Sequence, residues 1–108
     1  MNILDLKHKL EKGKSLGGEV VYIKEDNLIC GVGSVYKNKE IKSITLLKSK
    51  EESVKVDSFI EILNELYATV GNGEVFIGEE DYTRTSNKEI ISVEFAQYET
   101  IKMLFINV

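Results

Sequence analysis

Residues 37–46, KNKEIKSITL, and residues 86–95, SNKEIISVEF, write Asn-Lys-Glu-Ile-x-Ser twice, each time followed by a β-branched residue and, two places on, an apolar one. An internal repeat constrains a fold strongly, because each copy carries an apolar face that the other is best placed to cover. The similarity extends outward from this motif. Each copy lies downstream of a strand signal that opens with Gly-Glu-Val, residues 18–26 and 73–81, and ends in acidic residues, Glu25-Asp26 and Glu79-Glu80-Asp81.

Each of those strands follows a helical pattern. Ile3, Leu6 and Leu10 recur at helical spacing behind Asn2, with Gly13 as the expected stop. Phe59, Ile62, Leu63, Leu66 and Val70 form a second stripe. Ser58 and Glu61 make a capping-box pattern before it, and Gly71-Asn72-Gly73 supplies the positive φ at which a helix ends. Leu63 and Leu66 are expected beneath the sheet. Asn38 and Asn87 are expected to turn the chain into the repeated strands, 40–47 and 89–96, and residues 53–57 and 101–108 supply a closing strand to each half. The copies are 55 residues apart at the first strand and 49 at the second, which places an insertion of six in residues 27–37, a longer or extra strand. Within it, GVGS (31–34) has the glycines of a phosphate loop but is followed by a strand pattern, not a helix, so the glycines are expected to mark a bulge or tight bend.

These signals predict one α+β domain over residues 1–108. It is a duplicated α-β-β-β unit with halves 1–56 and 57–108, forming an antiparallel sheet with two helices packed on one face. The composition agrees: 43% hydrophobic and 30% charged residues suit a globular chain long enough to bury a core without staples. No apolar run is long enough to cross a membrane, and Asp5 and Glu11 make the first residues a poor signal peptide. With Cys30 as the single cysteine, no internal disulfide can form, and a reducing, cytoplasmic setting is expected.

Charge is unevenly divided, net +3 in residues 1–56 and −7 in residues 57–108, for a formal −4 overall. A net acidic chain is a poor nonspecific nucleic-acid binder, since phosphate neutralisation needs clustered cations. No catalytic set emerges. His8 is the lone histidine, flanked by Lys7 and Lys9, and Cys30 sits between apolar residues where a thiol is an inert filler with a raised pKa. No zinc spacing is present, and Glu79, Glu80 and Asp81 are consecutive, without the alternation of a calcium loop. Neither a metal nor a cofactor is expected.

Two neighbouring segments remain as candidate binding residues. Tyr82, Thr83, Arg84, Thr85, Ser86 and Asn87 form a donor-rich loop around the only arginine in the chain. Guanidinium presents a planar fork for phosphate or carboxylate that lysine lacks. Glu79, Glu80 and Asp81 form an acidic face suited to a basic partner.

The second half resembles the closing segment of small phage and prophage proteins. Phe59-Ile60-Glu61-Ile62-Leu63-Asn64-Glu65-Leu66 matches their helix, Val75-Phe76-Ile77-Gly78-Glu79-Glu80-Asp81 their acidic strand, and Ile90-Ile91-Ser92-Val93-Glu94-Phe95 the strand after it. The resemblance covers about half the chain; the Pro-Pro-Asp usual after that helix is replaced here by Gly71-Asn72-Gly73. It implies a mobile-element origin and assigns no catalytic residue. The expected function is therefore a non-enzymatic binding protein that neutralises a host defence factor, either by sequestering a small nucleotide or by occluding a host protein surface. An immunity- or antitoxin-type acidic inhibitor of a basic nuclease is the alternative, and a small enzyme built on the 79–88 loop is disfavoured. A homodimer stays open, and no membrane partner is expected.

Overall fold

The computed structural model describes residues 1–81 and 87–108. Two helices, α1 (Ile3–Ser15) and α2 (Val56–Val70), accompany strands β1 (Val20–Glu25), β2 (Leu28–Asn38), β3 (Ser43–Ser49), β4 (Val54–Lys55), β5 (Glu74–Gly78), β6 (Lys88–Glu89), β7 (Ser92–Tyr98) and β8 (Ile101–Asn107). The fold is mixed α+β. The strands form one curled sheet, a half-barrel, in the order β6-β5-β3-β2-β1-β8-β7, with β4 beside the start of β1.

The sheet is mixed and not antiparallel as expected. β1 runs parallel to β8, and β3 runs parallel to β5. The second pair has a direct cause. The chain between β3 and β5 carries the whole of α2, and a crossover of that length returns the next strand in the same direction, whereas a tight turn would reverse it. The tight connections give the antiparallel pairs β1/β2, β2/β3 and β7/β8.

The two Asn-Lys-Glu-Ile stretches do not occupy equivalent strand positions. In the first, Lys39–Lys42 form the turn between β2 and β3, leaving Ile41 68% exposed. In the second, Lys88-Glu89 form β6, and Ile90 is buried at the step from β6 to β7. The halves share an order of pairing instead: β2 pairs with β1 at its start and with β3 along the rest, while residues 88–98 pair with β5 at their start and with β8 along the rest. Ile91, within the strand expected over 89–96, is 74% exposed, and Ile90 takes the inward place.

Alternation within the strands builds the core. Val21 and Ile23, Ile44 and Leu46, Val75 and Ile77, and Leu104 and Ile106 all point to one face and are all buried. Ile3, Leu6 and Leu10 of α1 and Phe59, Leu63 and Leu66 of α2 join the same cluster, so both helices lie on that face. Asn2 caps α1 as expected, its side chain accepting from the Asp5 N–H at 2.8 Å. Gly13 does not end that helix. It lies inside it, where a Cβ would fall 2.4 Å from Leu104 Cδ2, so the missing side chain admits Leu104. Helix α2 starts at Val56, ahead of the Ser58/Glu61 box and with no side-chain cap, because the Val56 N–H donates to the Glu19 carbonyl at 2.9 Å. That shortens the expected 53–57 strand to β4. Gly71 ends α2 with φ +89°. In β2 the register with β3 shifts between Val32 and Val35, the bulge expected at GVGS, and at Gly31 the chain passes so close that a Cβ would sit 1.3 Å from the Glu52 carbonyl oxygen.

Candidate functional site

Carried one step further, the inward alternation of three strands changes chemistry. Val21-x-Ile23 continues to Glu25, Ile44-x-Leu46 to Lys48, and Val75-x-Ile77 to Glu79. All three are charged residues on the core-facing side, at the carboxyl ends of β1, β3 and β5, where the half-barrel opens to solvent. A charge at such a place needs a partner. Lys48 Nζ donates to Glu25 Oε1 at 2.5 Å and to Glu79 Oε1 at 2.9 Å, and Lys88 Nζ bonds the other Glu25 oxygen. The Lys48 and Glu25 side chains are only 16% and 20% exposed.

The electrostatics follow from these bonds. The hydrogen bond from Lys48, and then that from Lys88, holds the Glu25 carboxyl below its usual value. Burial pulls the Lys48 ammonium down, but its bonds to Glu25 and Glu79 outweigh this, so its net shift is upward. Burial pushes the Cys30 thiol up. Cys30 is half-buried on β2, its Sγ directed at the Ile23 carbonyl oxygen at 3.7 Å.

Around this network lies a cleft of about 740 Å³, within the size range of ligand sites, roughly 300–1,000 Å³. Lys48, Ser49 and Lys50 border it on one side, Glu79, Glu80 and Asp81 on another, and Leu28, Ile29 and Cys30 on a third. Leu28 and Ile29 are 77% and 52% exposed. A smaller hollow beside it is lined by Glu51, Glu52 and Glu80 among others. At this pole carboxylates outnumber lysines, and Glu80 and Asp81 have no ion-pair partner among the described residues.

The acidic face expected at Glu79, Glu80 and Asp81 thus borders the cleft, with Glu79 bound into the network and the other two exposed. Tyr82, Thr83, Arg84, Thr85 and Ser86 lie outside the described residues. Asn87 does not reach the cleft. Its Oδ1 accepts from Thr45 Oγ1 at 3.3 Å, and Thr45 points to the face of β3 opposite Lys48. His8 is exposed on α1. Among the described residues no group of three His, Cys, Asp or Glu side chains is placed to hold a metal ion. Sequence reasoning missed Lys48 and Glu25 as site residues. Their signal was present as a charged residue at a core-parity position immediately after two buried ones.

No protein-family model, curated protein or solved structure matches this chain.

Proposed function

We propose that this protein is a non-enzymatic binder that occludes a basic surface of a protein partner with the acidic mouth of its half-barrel. The observation that carries this reading is the placing of exposed Leu28 and Ile29 on one cleft with Glu80 and Asp81, which have no ion-pair partner among the described residues. Exposed apolar side chains and charged ones bordering the same cleft give a protein partner both apolar area to bury and charge to read. The excess of carboxylates disfavours an anionic ligand there and steers a cationic one. A nuclease, whose substrate-binding surface is basic, is a partner class that fits. In the setting implied by the resemblance to phage proteins, the partner is a host factor.

Affinity purification from the native host, using the wild type and the Glu80→Lys/Asp81→Lys variant, tests this. The expected result is a basic protein retained by the wild type, eluted by salt, and lost with the variant. Retention that ignores both salt and charge reversal would refute it. So would a ligand panel in which a nucleotide, and no protein, raises the thermal midpoint, which would favour the 82–87 loop as a nucleotide site.

A further inference from the structure

At the opposite pole from the mouth, the turn between β2 and β3 projects Ile41 into solvent between Lys39 and Lys42. The turn is braced: the Asn38 side chain accepts from the Glu40 N–H at 3.2 Å and lies 3.5 Å from the Ile41 N–H. Its base is pinned where the Lys42 carbonyl accepts from the Glu74 N–H at 3.1 Å and Gly73 lies directly against Lys42. The β-branched Ile41 is thus presented on a preorganised tip, which lowers the ordering cost of binding. β3 runs from this tip to Lys48 at the mouth, so the two surfaces are separated by a strand of seven residues, about 20 Å.

We infer that this tip is a second interaction surface and that its partner is the mouth of a second copy of the chain. The two are complementary in both respects that matter. The tip offers an exposed isoleucine to the exposed Leu28 and Ile29, and its lysines would face the exposed carboxylates of Glu80 and Asp81. Because the surfaces differ and sit at opposite ends, the contact is head-to-tail: it builds short chains or a ring, not a two-fold dimer. It rests on the mouth being a binding surface, and it makes self-association a competitor of the outside partner.

Sedimentation velocity of the full chain from about 10 μM to about 1 mM, at about 50 and 500 mM salt, reads this out. The wild type should associate with rising concentration at low salt and dissociate at high salt. Lys39→Glu/Lys42→Glu and Glu80→Lys/Asp81→Lys should each be monomeric alone. Mixed, the two should associate, since a native tip meets a native mouth and a reversed tip a reversed mouth, and a chain carrying all four substitutions should associate again. A folded wild type that stays monomeric throughout would overturn the inference. So would association that survives both double variants, or a wild type that instead binds anionic vesicles through Lys39 and Lys42. The tip variant keeps its mouth intact, so its capture of a basic host protein tests the proposed function separately: capture together with a wild type that stays monomeric would leave that function standing while this inference fell.

Discussion

Replacing Lys48 by methionine is the sharpest probe of the mouth. The substitution keeps most of the stem and removes the ammonium that holds Glu25 at 2.5 Å and Glu79 at 2.9 Å. Glu25 retains Lys88, whereas Glu79 loses its ion-pair partner among the described residues. An exposed ion pair is worth roughly 0–1 kcal/mol, and breaking a fully buried one costs about 3–5 kcal/mol. Lys48 at 16% exposure and Glu25 at 20% lie between, and Glu79 at 46% lies nearer the exposed end. The Glu25 bond therefore dominates, and the expected loss is about 1.5–3 kcal/mol, the range of hydrogen bonds to charged groups. Urea unfolding at neutral pH measures it as a lower midpoint at unchanged slope. A double-mutant cycle with Glu25→Gln should recover coupling of about 1 kcal/mol or more, and one with Glu79→Gln less. A loss under about 0.5 kcal/mol, or equal coupling to both carboxylates, would refute the ordering by burial.

Acid sensitivity should follow from the same network. Glu25 titrates below its ordinary value of 4.5, so its contribution is present above that pH and is lost as pH falls through the lower, folded value. In Lys48→Met the acid limb of a stability–pH curve should be shallower in that window; an unchanged limb would count against the bond. Lys48 titrates above 10.5, so its share is present below that pH and lost only as pH rises through its higher folded value. Gly31→Ala should cost more than about 3 kcal/mol, because its Cβ meets a backbone carbonyl that no rotamer change can clear. Chemical denaturation of this variant beside Gly33→Ala, where the nearest atom is the Ser49 Cβ at 3.0 Å, should rank Gly31 as the worse. Leu66→Ala should cost about 2–5 kcal/mol, given 6% exposure beneath the sheet; a loss under about 1 kcal/mol would make α2 peripheral.

What the sequence determined by itself was local. Periodicity of 3.6 identified both helices and most of their buried stripes, Ile62 of the second being 38% exposed, and the Gly-Glu-Val signals marked β1 and β5. Gly71 and the glycines of GVGS signalled a helix end and a bulge because those conformations depend on the backbone at one position. The tertiary structure decided the rest. Whether β3 pairs with β5, and in which direction, depends on where α2 packs. The two Asn-Lys-Glu-Ile stretches look alike, yet one becomes a turn and the other a strand start, because four residues carry too little preference to resist their neighbours. Gly13 reads as a stop until Leu104 is found filling the space above it, and Lys55 can precede a helix without a side-chain cap only because the Glu19 carbonyl receives the Val56 N–H. The mouth shows the same division. Each of Glu25, Lys48 and Glu79 could be placed on the inner face of its own strand by counting twos. Their meeting depended on β1, β3 and β5 ending at the same rim of a curled sheet, with partners 23 and 31 residues apart in the chain.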